Sequence, residues 1–224
     1  MPQIFDVERY RERTRIFRDR IQASLLLSDE LSQYKKDPSS IIVAIPAGGV
    51  PVGYTISEKL ELPLEVAITR KLHVPWNPEA GFGAVTWNEL VEINEPLVKQ
   101  LGLTEDQIEA VIEKEIKTIN KRRRLYGAKK FPDLEDKHPI LVDDGIASGF
   151  SMLTTAKAIR KYDPMRITVA VPTAPKRSIE KIQPYVDQIY CLNIRSGLRF
   201  AVASAYKKWR DVTEEEVIKI LRDK

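Results

Sequence analysis

Two carboxylates, Asp143 and Asp144, stand directly after the apolar run Ile140-Leu141-Val142. Gly145-Ile146-Ala147 separates them from Ser148-Gly149, and Phe150-Ser151 follows. The apolar run reads as a strand buried on both faces, and Phe150 as the start of a helix. The acids therefore fall at the carboxyl end of a strand, where open α/β sheets bind ligands. Residues 145–151 form a small-residue turn that can aim backbone N–H groups at an anion. Acids that accept from vicinal hydroxyls, one turn from an anion cradle, suit a ribose 5-phosphate. The same residues are also compatible with an ordinary turn and a helix cap.

A second loop, Pro46-Ala47-Gly48-Gly49-Val50-Pro51, follows an expected strand at 41–45. Its small residues let Ala47 and Gly48 bring their amides close to an anion. Other phosphate motifs fail: Val50 stands where a dinucleotide fingerprint needs glycine, and Tyr54-Thr55 after Gly53 replaces the Lys-Ser/Thr of a Walker loop. Arg70 and Lys71 are expected at the end of a second strand, on the same sheet edge as the acids, where cations could offset negative charge. Phe200, Tyr206 and Trp209 could stack on a base, and at this spacing they also serve as core. His73 and His138 are too far apart in sequence to suggest a zinc site, and His73 reads as a surface residue.

These residues need elements to hold them. Residues 7–36 read as one or two amphipathic helices. Strand 41–45, helix 50–60 and strand 64–68 form a parallel unit. Residues 69–82, with Pro75, Pro78 and Gly81, read as irregular, and a hairpin is expected around Asn88-Glu89. Thr104 and Gln107 form a capping box for a long helix to about Tyr126. The parallel pattern resumes with strand 140–143, a helix to about 162, strand 167–171, helix 176–182 and strand 189–192. Thr213 and Glu216 cap a last helix. The expectation is one α/β domain over 1–224, a parallel sheet flanked by helices. Residues 82–134 would be an inserted hairpin and long helix, and 193–224 a C-terminal hood.

The segment Val142-Asp143-Asp144-Gly145-Ile146-Ala147-Ser148-Gly149 resembles the PRPP-binding motif of the type I phosphoribosyltransferases, where PRPP is 5-phosphoribosyl 1-pyrophosphate. Phe17-Arg18-Asp19-Arg20, Arg70-Lys71, Asn77-Pro78-Glu79, Gly83-Ala84-Val85 and Val171-Pro172-Thr173-Ala174-Pro175 are similar to a poorly characterised bacterial and archaeal group of that family. The resemblance implies that Asp143 and Asp144 bind the ribose hydroxyls, and that Gly145, Ile146, Ala147, Ser148, Gly149, Phe150 and Ser151 bind the 5-phosphate. It implies that Ala47 and Gly48 contact pyrophosphate, often through a cis peptide, with Arg70 and Lys71 offsetting its charge. Mg²⁺ would be held through PRPP. Ala47 stands where similar proteins often carry Arg, and Ala147 where the hypoxanthine–guanine enzymes carry an Asp base. An alanine moves no proton, so proton transfer would need another group such as Glu79. The implied activity is transfer of the phosphoribosyl group to a nitrogenous base. The alternative is a non-catalytic sensor of PRPP or a nucleotide. A homodimer is the default expectation for such a fold.

Composition agrees with a phosphorylated small-molecule partner. The 224 residues carry 30% charged and 43% apolar side chains and a net charge of +4. The run Lys121-Arg122-Arg123-Arg124 reads as a solvated helix end favoured by the helix dipole, rather than a nucleic-acid patch. Cys191 is the single cysteine, which excludes an internal disulfide and suits a reducing, cytoplasmic setting. No apolar stretch is long enough to span a membrane.

Overall fold

The computed structural model describes residues 2–127, 131–197 and 199–223, apart from the side chains of Pro78 and Glu79. In chain order it runs β1 (Gln3–Asp6), α1 (Arg20–Glu30), β2 (Ser40–Ala44), α2 (Gly49–Leu60), β3 (Leu64–Val66), β4 (Thr69–Val74), β5 (Asn77–Thr86) and β6 (Val91–Ile93). It continues with α3 (Glu95–Leu101), α4 (Glu105–Leu125), β7 (His138–Val142), α5 (Phe150–Arg160), β8 (Thr168–Pro175), α6 (Lys176–Ile182), β9 (Gln188–Arg195) and α7 (Glu214–Arg222). Six strands form a parallel sheet in the order β1-β9-β8-β7-β2-β3. Strands β4, β5 and β6 form a separate antiparallel sheet. This is the type I phosphoribosyltransferase architecture expected from the motif.

Every residue of β2, β7 and β8 is buried, as helices on both faces require. The connections diverge at the centre. From β2 the chain crosses through α2 to β3 on one side; from β7 it crosses through α5 to β8 on the other. The crevice between the carboxyl ends of β2 and β7 is thus a topological switch point, where such sheets bind ligands. Helix α2 lies close because it carries Gly53. A Cβ there would sit 2.9 Å from the Ala44 Cβ and 3.0 Å from side-chain carbons of Leu64 and Val142.

The opposite edge of the sheet is a polar layer built from the first residues of four strands. His138 Nδ1 lies 2.9 Å from Ser40 Oγ, whose own proton goes to Asp37 Oδ2 at 2.6 Å. His138 Nε2 lies 2.7 Å from Thr168 Oγ1, and the Tyr34 hydroxyl donates to Gln188 Oε1 at 2.7 Å. A neutral imidazole with its proton on Nδ1 satisfies this chain: it donates to Ser40 and accepts from Thr168.

Four stretches differ from the sequence-based expectation, the first being the edge strand β1 at Gln3–Asp6, which was not expected. Residues 7–36 hold one α-helix rather than helix throughout. Asp19 accepts from the Gln22 N–H at 2.9 Å and starts α1 at Arg20. Upstream, Phe17 makes a strand-like bridge to Tyr206, a tertiary pairing that local periodicity does not reveal. Residues 69–82 are not irregular but form β4 and much of β5. Gly81 reads as a breaker, yet it and Gly83, which the expected hairpin includes, admit close neighbours: a Cβ at 81 would meet the Lys71 stem at 2.5 Å, and at 83 the Glu92 carbonyl oxygen at 2.3 Å. The elements outside the main sheet thus begin at Thr69 rather than at 82. Helix α3 was not foreseen; Asn94 caps it, and Pro96 lies in its first turn. Both expected capping boxes, at Thr104 and Thr213, are present.

Burial lowers the His138 pKa to about 4, against about 6.5 unfolded. As pH falls below about 6.5 the unfolded chain takes this proton first, so stability drops toward pH 4, by up to about 3 kcal/mol. Urea denaturation from pH 7 to 5 should show this loss, and a smaller slope in His138→Gln. Equal slopes in the two proteins would refute the assignment.

Candidate active site

The two loops meet across the switch point. Asp143 and Asp144 end β7, and the Asp144 N–H donates to Asp143 Oδ1 at 2.8 Å. The carboxylates lie against the loop that follows β2. A Cβ on Gly48 would sit 2.0 Å from Asp144 Oδ2, and one on Gly49 would sit 2.8 Å from the Val142 carbonyl oxygen and 3.4 Å from Asp143 Oδ1. Glycine is needed at 48 for space, since its backbone is ordinary right-handed helix. The preceding Pro46–Ala47 peptide is cis.

Asp144 is the more tightly held acid. Its Oδ2 accepts from Arg20 Nε at 2.8 Å, with both side chains only 12% exposed. Arg20 Nη1 donates to the Arg210 carbonyl at 2.7 Å, and its guanidinium lies 3.9 Å above the Trp209 ring. The Tyr206 hydroxyl donates to the Asp144 main-chain carbonyl at 2.5 Å. Burial pushes both carboxyl pKa values up. Asp143 is raised further by the charge of Asp144, whereas Arg20 draws Asp144 back down.

The turn after the acids has its carbonyls tied back and its helix start uncapped. The Ala147 carbonyl accepts from Ser178 Oγ at 2.6 Å and the Ser148 carbonyl from Lys181 Nζ at 3.0 Å, both on α6. Because a trans peptide sets C=O and N–H in opposite directions, the Ser148 and Gly149 N–H groups point away from α6. Gly149, at φ +84°, occupies the N-cap of α5 and offers no side-chain cap, so the first N–H groups of the helix remain available to a ligand. Ile146 is different: its N–H donates to the Thr173 carbonyl at 2.9 Å and its side chain is buried. Its part is to anchor the turn. Gly145 lies under the hood, where a Cβ would meet a Val202 methyl at 2.5 Å.

Residues 15–205 match the phosphoribosyl transferase domain family. The chain belongs to the phosphoribosyltransferase family. It is 29% identical over 209 residues to a protein of Mycobacterium tuberculosis named "putative phosphoribosyl transferase", covering 92% of this chain and 46% of that protein. The chain thus spans about half the length of that relative. A shorter match, 38% identical over 63 residues, is to the uracil phosphoribosyltransferase of Mycoplasma genitalium, covering 26% of this chain and 31% of that one. Among solved structures, TT1426 from Thermus thermophilus superposes with a TM-score of 0.74 at 27% identity, over 92% of this chain and 98% of that one.

Within this member of the family, the sequence-derived site divides. Ala47, Gly48, Asp143, Asp144 and the 145–151 turn share one crevice. Arg70 and Lys71 do not end a strand of the main sheet, as expected, but lie in β4 of the second one. Successive strand residues face opposite ways, so the two cations cannot act as one. Arg70 Nε is paired with Glu115 Oε2 of α4 at 2.7 Å, where the Glu115 side chain is 8% exposed. The Glu79 side chain lies outside the described residues. The two roles open to the aromatics separate. Tyr206 is buried between Phe17 and Trp209, Phe200 stacks with Arg195, and Trp209 is half-buried over Arg20. Trp209 and Arg20 also wall a cavity of about 690 Å³ with Pro51, Val212 and Ile220. Sequence reasoning missed Arg20 and Lys181 as site residues. Arg20 lies in the Phe17-Arg18-Asp19-Arg20 segment that carries the resemblance, but no role follows from it there, because its partners are more than a hundred residues away.

Gly48→Ala should cost about 1–3 kcal/mol of stability by overpacking against Asp144. In an Asp144→Ala background most of that cost should vanish. A double-mutant cycle from denaturant melts checks this; additive costs would deny the contact.

Proposed function

We propose that the chain transfers the 5-phosphoribosyl group of PRPP to a nitrogenous base with release of pyrophosphate. The observation that carries this reading is the meeting of an acid pair and an uncapped amide cradle at one switch point. Asp143 and Asp144 would accept from the ribose hydroxyls. Ser148, Gly149, Phe150 and Ser151 would take the 5-phosphate on backbone N–H groups, helped by the Ser148 and Ser151 hydroxyls. The Ala47 and Gly48 amides would face the pyrophosphate. An acceptor nitrogen would attack C1 as the C1–pyrophosphate bond breaks, through a transition state of oxocarbenium character. Most of the acceleration would come from positioning and from electrostatics at the leaving group.

The acid pair fits Mg²⁺. It is a pair of hard oxygen donors, and no cluster of three or more metal-ligating side chains exists among the described residues. Mg²⁺ retains water and substrate ligands, so PRPP oxygens would complete its shell and it would neutralise pyrophosphate charge. Trp209 is the aromatic that best supports a base platform, beside a cavity of small-molecule scale. No helix among the described residues is long and apolar enough to cross a membrane.

The Arg70–Glu115 pair favours the second reading, a PRPP or nucleotide sensor, because it withdraws one cation from the leaving group. Pyrophosphate release from Mg–PRPP across a panel of purine and pyrimidine bases separates the two. Turnover on any base supports transfer; tight PRPP binding without turnover supports sensing.

Asp143→Asn with Asp144→Asn should weaken Mg–PRPP binding at least about 100-fold, since charge-assisted hydrogen bonds are each worth about 1.5–3 kcal/mol. The melting temperature should change little, because relief of two desolvated like charges offsets the loss of the charge partner of Arg20. Calorimetric titration with unchanged affinity would overturn the site.

A further inference from the structure

Arg20 is the cation closest to the acid pair, and its three partners belong to distant segments. Nε reaches Asp144 Oδ2, Nη1 reaches the Arg210 carbonyl, and the plane stacks at 3.9 Å on Trp209. Each contact fixes a different part of the guanidinium. The first sets its edge, the second its in-plane rotation and the third its tilt. A guanidinium so restrained can in turn restrain a carboxylate. Asp144 is further bounded by Gly48 on one side and by the Tyr206 hydroxyl on its main-chain carbonyl.

Resting on the ribose 5-phosphate reading above, we propose that Arg20 is a positioning residue that holds the Asp144 carboxylate in the orientation that recognises the ribose diol. It takes one carboxylate oxygen and leaves the other for sugar hydroxyls. It need not touch the sugar. The hood then has a mechanical part in sugar recognition, since Trp209 and the Arg210 carbonyl hold Arg20. Lysine cannot substitute, because an ammonium lacks the planar fork and the stacking face.

The readout is selectivity, not affinity alone. Ribose 5-phosphate and 2-deoxyribose 5-phosphate share the phosphate and differ by one hydroxyl of the diol. The unaltered protein should prefer the ribose form about tenfold or more, the scale of one charge-assisted hydrogen bond. In Arg20→Gln the preference should fall to about twofold, while affinity for the deoxy sugar phosphate changes little. A general packing role would weaken both sugars together and keep their ratio, which would overturn the proposal. Arg20→Lys should behave like Arg20→Gln; full rescue by lysine would mean that charge alone suffices and would also overturn it. Trp209→Leu keeps the Arg20 charge and tests the same restraint if Arg20→Gln does not fold. It should lower the ratio to an intermediate value, and an unchanged ratio counts against the proposal. Absence of any preference in the unaltered protein would instead sink the ribose 5-phosphate reading itself.

Discussion

The constraint on which the site depends is the cost of keeping two carboxylates side by side away from water. Asp143 and Asp144 are both pushed toward their protonated forms by burial, and neither can ionise without opposing the other. A fold that places such a pair at a sheet edge must compensate it. Here Arg20 supplies a cation to Asp144, and the Asp144 N–H supplies a donor to Asp143. The glycines at 48 and 49 supply the room. These compensations come from α1, from the β7 edge and from the turn after β2, three segments that are remote in sequence. The acid pair therefore links the segments around it, and a change in any of them reaches the same two carboxylates.

The two ends of the sheet solve opposite problems. At the amino edge, polar first residues of four strands satisfy one another in a closed chain, and His138 is kept neutral by burial. Each polar side chain in that chain has a partner, which suits a structural layer. At the carboxyl edge the reverse holds. Carbonyls of the 147–148 turn are tied back to α6, and the amides they turn outward have no capping side chain. A glycine N-cap such as Gly149 gives up only about a few tenths of a kcal/mol relative to a good capping residue. For the proposed 5-phosphate this leaves amides that no side chain of the chain occupies.

What could be read in the chain was whatever local rules determine. The buried strands, the Asp-Asp turn and the two capping boxes each declare themselves within a dozen residues, and all appear where expected. The errors share a cause. Gly81 looks like a breaker, but it is glycine because another chain segment passes close by. Phe17 looks helical, but it is claimed by a bridge to Tyr206. Arg70 looks available, but Glu115 from a helix forty-five residues on neutralises it. Arg20 looks like one more surface cation in a charged segment, and its partners lie 124 and 190 residues away. Side-chain partnership is set by tertiary packing, and a single sequence shows the residue without its partner.

The remaining elements attach around the proposed ribose-phosphate grip, and on that reading this bears on how an acceptor could be chosen. The antiparallel sheet docks on α5, through Thr69 Oγ1 against Thr155 Oγ1 at 2.7 Å and Lys157 Nζ against Glu92 at 2.7 Å. The hood docks on Arg20 and on the Asp144 carbonyl. The groups proposed for the sugar and phosphate therefore sit on the parallel sheet, while the surfaces left for an acceptor lie on the two attachments. Substitutions that reshape the hood away from Val202, Tyr206, Trp209 and Arg210, or the hairpin away from Thr69 and Glu92, would alter acceptor choice without disturbing the proposed grip. Substitutions at those six contacts would not. On this arrangement acceptor specificity is separable from PRPP binding at most positions, and the two are coupled where the attachments touch α5, Arg20 and Asp144.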